Sequence, residues 1–285
     1  MKKICFITNL EKDFDFKHTD KLINSIKNEN CIIVSQAVFE AENGFNKSIN
    51  EIDKMFNESD FAVVLGGDGT ILSVAKRACI YDTPILGINL GTLGYLADVE
   101  KQDSVKALKK LISGNFTIEK RMMLETFVEG KKIENNKGLA LNDVCINSGY
   151  FSRMIEIGVE VNGFFINSCR ADGIIVSSPT GSTAYNLSAG GPILKPDTEL
   201  IAITNVCPHA LYMRPYVISG SDKADIFVQA GEKGAFLMLD GQKIFELKKE
   251  CHITVKKSDY YTKIVKTTEL SFYDILRRKM VEVRL

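Results

Sequence analysis

Apolar and polar residues along the first 115 residues form runs that fit strands and helices in alternation. Apolar runs of about four to eight residues are typical of buried strands, whereas apolar residues spaced three and four apart indicate amphipathic helices. The pattern predicts strands at 4–7, 31–38, 61–65 and 84–90, and helices at 18–30, 47–57, 71–80 and 104–113. This alternation predicts a doubly wound, Rossmann-like parallel sheet with helices on its faces.

Beyond residue 116 the pattern changes to short strands separated by turn residues. Strands are predicted at 124–129, 138–146, 154–161, 164–167, 173–177, 200–205, 224–229, 235–239, 244–247 and 252–256. Many short strands of this kind predict a β-rich domain. We therefore expect an α/β domain over 1–115 and a β-rich domain over 116–265. The tail, 266–285, contains a predicted short helix that packs back on the first domain.

The first domain is organised around Phe61–Thr70, in which apolar residues lead into the sequence Gly-Gly-Asp-Gly-Thr. Gly66, Gly67 and Gly69 can adopt conformations closed to other residues, and they let a ligand approach bare peptide N–H groups. Ligands of such sheets bind at the carboxyl ends of strands, where the next helix also presents its N-terminus. Strand, glycine turn and helix N-terminus together predict an anion site.

Asp68 is the unusual member of this loop. Phosphate-binding loops favour positive charge, and the Lys-Ser/Thr ending of a Walker loop is absent here. A carboxylate beside phosphates accepts a proton or holds a metal ion, and either role indicates chemistry. The plainer alternative is a glycine-rich turn in which Asp68 only caps the helix. A second glycine-rich segment, 91–95, follows the next predicted strand and is expected to lie near the first.

Composition and charge exclude several classes of protein. The chain has 36 Lys plus Arg and 36 Asp plus Glu, so it offers no general attraction for nucleic acid, and local groups must hold any anion. Seven scattered cysteines without a Cys-x-x-Cys pair favour reduced thiols in the cytoplasm over disulfides or zinc. The N-terminal apolar run ends at Thr8-Asn9, which predicts a strand and not a signal peptide, and no run is long enough for a membrane span.

A second cluster of small and polar residues extends from Asp172 to Pro192. Five of the six prolines fall between 179 and 215, so this part of the chain is predicted to form rigid turns. Tyr185 offers an aromatic face for a base, and the cluster contains hydroxyl groups suited to a polyhydroxylated or phosphorylated ligand: Ser178, Thr180, Ser182, Thr183 and Ser188. A solvated turn is the plainer alternative, which the length and rigidity of the segment disfavour.

Taken together, these motifs resemble those of the NAD kinase family. The resemblance is carried by Gly66–Thr70, Asn142-Asp143, Asp172-Gly173, Ser178–Tyr185, Gly190–Pro192, Cys207–His209 and Arg214-Pro215. The first motif is shared with lipid kinases and phosphofructokinases, whereas the sequence Ser-Pro-Thr-Gly-Ser-Thr-Ala-Tyr is much narrower. The resemblance implies transfer of the γ-phosphoryl group of ATP to the 2′-hydroxyl of the adenosine ribose of NAD, which gives NADP.

The resemblance also implies roles for the matching residues. Asp68 is the expected general base, and phosphates are held by Gly66, Gly67, Gly69 and Thr70, with Mg²⁺ or another divalent cation supplying positive charge. The expected NAD contacts are Tyr95, Asn142, Asp143, Asp172, Thr180, Thr183, Ala184, Tyr185, Asn186 and Ser188. Asp143 stands where the family commonly has glutamate, so its carboxylate is retracted by one methylene. A homodimer or homotetramer is also implied.

Two other functions are compatible with parts of the pattern. A lipid kinase of the diacylglycerol or sphingosine type would share the glycine motif and the two domains, and a non-catalytic regulator could use the same loops to sense NAD(H). His209 is expected to be a structural residue, and Asp240-Gly241 a hairpin turn. His252 lies in an apolar-polar alternation and receives no role.

Overall fold

A computed structural model of the chain describes residues 1–40, 43–97, 99–130, 138–149, 154–230, 234–247 and 250–281. The chain divides into two units, Met1–Lys120 with Thr262–Leu285, and Arg121–Tyr261. Two strands, Thr117–Val128 and Glu250–Lys266, contain the points at which the chain passes between the units.

The first unit alternates strands and helices. In chain order it contains β1 (Lys2–Asn9), α1 (Lys17–Ser25), β2 (Cys31–Glu40), β3 (Gly44–Phe45), α2 (Ile49–Asn57), β4 (Phe61–Gly66), α3 (Asp68–Ile80), β5 (Ile85–Asn89), β6 (Val99–Glu100) and α4 (Ser104–Ser113). β1 pairs in parallel with β2 and with β4, and β4 pairs in parallel with β5. The predicted α/β domain built on a parallel sheet is confirmed.

The order of strands reverses at β1. The chain proceeds from β1 to β2 on one side, whereas β4 and β5 lie on the other side. In open parallel sheets this switch point opens the crevice in which ligands bind. The two strands that flank it end at Asn9 and at Gly66. The glycine-rich loop therefore begins at the switch point.

Apolar side chains hold these strand ends in place. Phe6 and Val63 pack with Leu22 of α1 and Leu108 of α4 in one continuous cluster, and all four are fully buried. α3 packs against β4 and β5 as well as against α2. Burial of each large apolar side chain contributes about 1.5–3 kcal/mol. The loop at the switch point thus extends from a rigid layer.

The second unit is built mainly from antiparallel strands. It contains β7 (Thr117–Val128), β8 (Leu139–Ala140), β9 (Asp143–Ser148), β10 (Ile155–Val161), β11 (Phe164–Ala171), β12 (Gly173–Ser177), α5 (Tyr185–Ser188), β13 (Leu200–Val206), β14 (Tyr216–Ser219), β15 (Lys223–Gln229), β16 (Ala235–Leu239), β17 (Gln242–Leu247) and β18 (Glu250–Lys266). Six strands form one sheet in the order β14-β13-β12-β9-β16-β17. Four further strands pair with one another in a second run, in the order β11-β10-β15-β18. The predicted β-rich part of the fold is confirmed.

The two runs of strands share one apolar core. Ile157 of β10 and Ile226 of β15 belong to the same buried cluster as Ile174 of β12 and Leu237 of β16. The chain ends with α6 (Phe272–Val281), which belongs to the first unit. The seven cysteines carry free thiols. None of the helices in the described part of the chain has the length and apolarity needed to cross a membrane.

Candidate active site

The glycine-rich loop of the first unit is shorter than the sequence predicts. Gly67 is extended, with φ −149° and ψ −170°, and α3 begins at Asp68 instead of at Ile71. The predicted start was wrong because Gly67 serves as the N-cap, which completes the turn before the aspartate. Asp68, Gly69 and Thr70 therefore form the first helical turn, whose leading N–H groups have no acceptor within the helix.

Thr70 and Asn9 fasten this loop to the neighbouring strand. Nδ2 of Asn9 donates to Oγ1 of Thr70 over 3.0 Å, and the N–H of Gly67 donates to the same oxygen over 3.4 Å. Gly66 allows the threonine to approach, because a Cβ atom at this position would lie 2.3 Å from Oγ1 of Thr70. Since both polar side chains are buried, these bonds fix the shape of the loop.

The Asp68 carboxylate connects this loop to the second glycine-rich segment. Its Oδ2 accepts the N–H of Tyr95 over 2.8 Å. Its Oδ1 accepts the N–H groups of Leu96 and Ala97 over 3.0 and 3.1 Å. Gly94 makes this approach possible, because a Cβ atom there would lie 2.0 Å from Oδ1. A carboxylate oxygen accepts about two hydrogen bonds, so Oδ2 keeps one acceptor site.

A pocket of about 620 Å³ opens on the same edge of the sheet, beside Gly91. His18 lies in its wall, and Nε2 of this residue is 3.1 Å from Oγ of Ser104, the first residue of α4. Burial and the nearby charges of Lys101 and Lys21 lower the pKa of His18. The imidazole is therefore neutral at pH 7, and the positive charge of this pocket comes from the two lysines.

A smaller pocket of about 290 Å³ lies in the second unit. Four of the predicted site residues line it: Asn142, Asp143, Ala184 and Tyr185. They come from two places in the chain, the start of β9 and the loop that leads into α5. Asp240 and Gly241, at the tip of the β16–β17 hairpin, complete the wall.

Asp240-Gly241 forms the hairpin turn that the sequence predicts, with positive φ angles of 50° and 76°. The Asp240 side chain does more than turn the chain, because its carboxylate accepts three backbone N–H groups. These belong to Leu141, Asn142 and Asp143, at distances of 3.0, 2.7 and 3.3 Å. The turn therefore fixes the backbone that carries Asn142 and Asp143 into the pocket.

Asp143 is a buried carboxyl group in the wall of this pocket. Burial and the negative charge of Asp240 raise the pKa of Asp143 to about 6. The Cys145 thiol donates to Oδ1 of Asp143 over 3.3 Å, and burial, together with the Asp143 charge, raises the pKa of this thiol. Cys145 is thus a neutral thiol, while Asp143 changes its charge near neutral pH.

The loop Ser178–Tyr185 is held against the start of β9. The N–H of Ser178 donates to the carbonyl oxygen of Asn142 over 2.8 Å, and Oγ of Ser178 accepts the N–H of Gly181 over 3.2 Å. Gly181 packs so closely that a Cβ atom there would lie 2.0 Å from the same carbonyl oxygen. The Ser178 hydroxyl therefore stabilises the loop, whereas the Tyr185 ring is 41% exposed.

Comparison with protein-family models matches the chain in two parts. The ATP-NAD kinase N-terminal domain matches residues 6–116, and the ATP-NAD kinase C-terminal domain matches residues 141–267. The chain belongs to the ATP-NAD kinase family. The predicted family is therefore confirmed, as is the predicted class of enzyme, a phosphotransferase.

Individual members of the family are similar over the whole chain. The NAD kinase of Caldanaerobacter subterraneus subsp. tengcongensis is 39% identical over 282 residues, which are 99% of this chain and 100% of that protein. The crystal structure of an NAD kinase from Archaeoglobus fulgidus in complex with ATP has a TM-score of 0.74 and 26% identity over 94% of both chains. Yeast NADH kinase complexed with NADH has a TM-score of 0.80 over 100% of this chain and 89% of that chain; at 23% identity it shows the fold alone.

The structure brings the predicted catalytic and phosphate-binding residues of this ATP-NAD kinase family member into one loop. These are Gly66, Gly67, Asp68, Gly69 and Thr70. Tyr95 joins them through its N–H, while its ring lies 6.1 Å from the Phe272 ring, measured between centroids, and 4.8 Å from Nζ of Lys279. Helix α6 therefore packs beside the ring of a residue that is predicted to contact NAD.

The remaining predicted NAD contacts of the second unit differ in their surroundings. Asp172 is exposed, and its charge contributes, after burial, to the raised pKa of the Tyr185 hydroxyl. Asn186 is completely buried: its Oδ1 accepts the Thr204 hydroxyl over 2.7 Å, and its Nδ2 donates to the carbonyl oxygen of Pro192 over 3.1 Å. Ligand contact by the Asn186 side chain stays a prediction, and its observed role is to hold the loop.

The other three predicted contacts follow the same loop from its buried part to its exposed end. Thr180 is buried and accepts a hydrogen bond from Nη1 of Arg121 over 3.5 Å. Thr183 is half-buried and donates to the carbonyl oxygen of Thr180 over 3.3 Å, and Ser188 is exposed. Their contacts with NAD remain predictions.

The sequence pattern does not single out two residues at the switch point, Asn9 and Lys12. Asn9 bonds to the glycine-rich loop, and Nζ of Lys12 would lie 2.7 Å from a Cβ atom placed on Gly67. The two residues lie two and five positions after the end of the first predicted strand, 4–7. The carboxyl ends of adjacent parallel strands meet, but only the pairing of β1 with β4 shows that these two strands are adjacent.

His209, with an exposed side chain, has its N–H bonded to the carbonyl oxygen of Arg170.

Proposed function

We propose that the protein transfers the γ-phosphoryl group of ATP to the 2′-hydroxyl of the adenosine ribose of NAD, which yields NADP. Membership of the ATP-NAD kinase family supports this reaction. The observation that carries the proposal concerns the Asp68 carboxylate. Asp68 lies in the first turn of α3 beside a glycine-rich loop, and the backbone amides of residues 95–97 fix its carboxylate. An anion-binding helix end and an oriented base lie side by side there.

Asp68 is the proposed general base. Phosphoryl transfer requires an acceptor hydroxyl positioned in line with the leaving group and a carboxylate that receives its proton. The amides of Tyr95, Leu96 and Ala97 fix the orientation of the carboxylate, and Oδ2 keeps an acceptor site for the ribose hydroxyl. A positioned general base contributes about 10²- to 10⁴-fold to a reaction rate.

The phosphates of ATP are proposed to bind at the N-terminus of α3. The helix has 13 residues, and its first N–H groups, those of Asp68 and Gly69, point out of the helix end. Aligned peptide dipoles add a partial positive charge at this end. Gly66 admits the Thr70 side chain, which keeps the loop in shape, and Gly67 has no side chain of its own beside the helix end.

A divalent cation fits this site as an ion carried by the nucleotide. The described residues contain no group of three or more His, Cys, Asp or Glu side chains arranged to hold a metal. Mg²⁺ commonly keeps several waters and binds through substrate phosphates, so the phosphates of ATP would hold it, and the remaining acceptor site of Asp68 is left to the ribose hydroxyl. When bound with ATP, Mg²⁺ neutralises negative charge on the phosphates during transfer.

NAD is proposed to bind in the second unit. The exposed ring of Tyr185 offers a stacking face for a base, and Asn142 offers an amide that donates and accepts hydrogen bonds. Asp143, held by the Asp240 turn, and Asp172, near the Tyr185 hydroxyl, contribute carboxylates that can bind ribose hydroxyls. Ala184 leaves room between these groups.

One coupled assay tests the proposed reaction. Purified protein is incubated with ATP, Mg²⁺ and NAD, and an NADP-specific dehydrogenase reports the product. We expect NADP formation that requires all three components. If NAD binds but no NADP forms above background, the protein is a non-catalytic NAD-sensing regulator, and the proposed reaction is wrong. Diacylglycerol and sphingosine in place of NAD test the lipid-kinase alternative, for which we expect no phosphorylated product.

Assembly into a homodimer or homotetramer and residence in the cytoplasm are further parts of the proposal. Strand β11 ends the run β11-β10-β15-β18, and its Phe164 and Phe165 are 75% and 65% exposed. Edge strands with exposed apolar side chains favour pairing with another chain.

The free thiols fit a reducing compartment such as the cytoplasm.

A further inference from the structure

We infer that Lys12 binds the β- and γ-phosphates of the donor nucleotide and supplies the positive charge that the missing Walker lysine would give. This inference rests on the proposed kinase function. It assigns a residue outside the motifs that identify the family, in the turn that follows β1.

The first observation is the position of the Lys12 ammonium group. A Cβ atom placed on Gly67 would lie 2.7 Å from Nζ of Lys12, and one placed on Gly91 would lie 3.7 Å from it. The amine therefore sits above the N-cap of α3 and beside the second glycine-rich segment. At both glycines the ammonium group takes up space that another residue's side chain would need, most tightly at Gly67.

The second observation is the rigid turn that presents Lys12. The N–H groups of Lys12 and Asp13 each donate to the carbonyl oxygen of Asn9 over 3.1 Å, and the N–H of Glu11 donates to Oδ1 of Asn9 over 3.0 Å. Nδ2 of Asn9 is bonded to Thr70 in turn. The turn and the glycine-rich loop are thus parts of one hydrogen-bonded assembly.

Asp13 anchors the other end of the turn. Its carboxylate is 5% exposed and accepts the N–H groups of His18 and Thr19 over 3.1 and 2.8 Å, as well as the Thr19 hydroxyl over 2.7 Å. Burial alone would raise the pKa of Asp13, but these hydrogen bonds lower it. Asp13, one of the two acidic residues that flank Lys12, is therefore committed to the N-terminus of α1 and does not pair with the lysine.

The third observation concerns charge. Among the described residues, no ion pair joins Lys12 to a carboxylate, although Glu11 and Asp13 flank it in the chain. The N-terminus of α3 is also positive, and the Asp68 carboxylate in its first turn is bonded to the amides of residues 95–97, so the Lys12 ammonium and the helix end are two positive groups near one loop. Such an arrangement is unfavourable in isolation and favourable around an anion. Phosphate oxygens between the Lys12 ammonium and the helix end satisfy both groups.

The geometry assigns this anion to the phosphate chain of ATP. Lys12 lies over the loop that carries Asp68, the proposed base, and the γ-phosphoryl group must reach this loop for transfer. In Walker loops a lysine reaches the β- and γ-phosphates in the same way. Here the lysine comes from the turn that follows β1, and not from the glycine-rich loop itself.

Steady-state kinetics of Lys12→Met test this role. A hydrogen bond to a charged group contributes about 1.5–3 kcal/mol, so we expect kcat/KM for ATP to fall about 10- to 100-fold. KM for NAD should stay within about twofold of the wild type. The dependence of KM for ATP on ionic strength should also become weaker, because one phosphate contact with a full charge is lost. Lys12→Arg should restore part of the loss.

Lys27→Met is the matched control. Lys27 is an exposed lysine that follows α1 and precedes β2, so it lies at the opposite edge of the parallel sheet. The same loss of charge at Lys27 should leave kcat/KM for ATP and KM for NAD unchanged. Thermal melting verifies that both variants are folded.

Distinct outcomes separate the two proposals. The proposed role of Lys12 is wrong if the wild type makes NADP and Lys12→Met has the same kcat/KM for ATP as Lys27→Met. It is also wrong if Lys12→Met raises only the KM for NAD. In both cases the kinase function stands. If the wild type makes no NADP, the proposed function itself fails.

Discussion

At the scale of single residues, three carboxylates of this protein are held by backbone amides, and each fixes a different part of the structure. Asp68 binds the second glycine-rich segment, Asp13 binds the start of α1, and Asp240 binds the start of β9. A carboxylate that accepts several N–H groups is fixed in orientation. Asp68 differs from the other two because it lies within the first turn of α3, beside the glycine-rich loop.

The buried Asp143 should make the stability of the nucleotide-free protein depend on pH. Its pKa of about 6 in the folded state lies above the ordinary value, so the folded protein favours the neutral form. The contribution of Asp143 to the free energy of unfolding is fully present below about pH 4. It falls by about 3 kcal/mol as the pH rises through about 6. Asp143→Asn should therefore gain stability over the wild type as pH rises.

Urea unfolding of both proteins at pH 4.5 and 7.5 checks this expectation. The difference between variant and wild type isolates Asp143 from the other titrating groups. An equal difference at the two pH values would show that Asp143 is not perturbed as described.

At the scale of elements, strands and helices with clear periodicity are predictable from the sequence, whereas features that depend on partners are not. The segment 61–65 and the helix after it follow from their apolar patterns, and α4 has the predicted bounds, 104–113. β18 extends over Glu250–Lys266, although the sequence predicts only 252–256. Its polar continuation has no apolar alternation, and there the strand pairs with β5 at Ile264, whereas β15 pairs only with residues 250–256.

The candidate site shows the same limit. The glycine motif and the loop Ser178–Tyr185 are contiguous in sequence and were therefore predictable. Lys12 enters the site because β1 pairs with β4, and a single sequence does not reveal which parallel strands are neighbours. Asn186 is predicted to contact NAD, yet its hydrogen bonds to Thr204 and Pro192 are visible only in the folded structure.

The β16–β17 hairpin should be sensitive to the side chain at position 240. Asp240→Ala places alanine at a φ of 50° and removes the acceptor of three N–H groups. We expect a loss of about 2–4 kcal/mol in the free energy of unfolding. Asp240→Asn is the control, because asparagine tolerates positive φ and keeps one oxygen acceptor.

Chemical denaturation of the two variants measures this effect. The asparagine variant should lose less than half of what the alanine variant loses. Equal losses would mean that the acceptor oxygen does not stabilise the start of β9.

At the scale of the whole molecule, the chain consists of an α/β unit that carries the glycine-rich loop and a β-rich unit that carries the Asn142–Tyr185 pocket. The exposed phenylalanines of β11 belong to the second unit. We expect them to be covered by a second copy of the chain, since apolar side chains on an edge strand favour association.

Light scattering after size-exclusion chromatography tests this assembly. The wild type should elute as a dimer or tetramer, and the double substitution Phe164→Ser and Phe165→Ser should shift it to a smaller species. Ile49→Ser, which alters an exposed apolar residue of α2 in the first unit, is the control and should leave the mass unchanged. A monomeric wild type, or an unchanged mass in the double variant, would contradict the proposed interface.

The catalytic role of Asp68 is tested most directly by the turnover of Asp68→Asn. The substitution keeps the size of the side chain and removes its ability to accept a proton, so kcat should fall about 10²- to 10⁴-fold. Equilibrium binding of NAD should be unchanged. Asp60→Asn is the matched control, because Asp60 precedes β4 and its Oδ2 accepts the N–H of Lys3 at the opposite end of the strand.

The decisive measurement is therefore the single-turnover rate of NADP formation by Asp68→Asn with both substrates saturating, compared with Asp60→Asn and the wild type. We predict a loss of at least about 100-fold for Asp68→Asn alone. A rate near that of the wild type, in a folded variant that binds NAD, would contradict the assignment of Asp68 as the base.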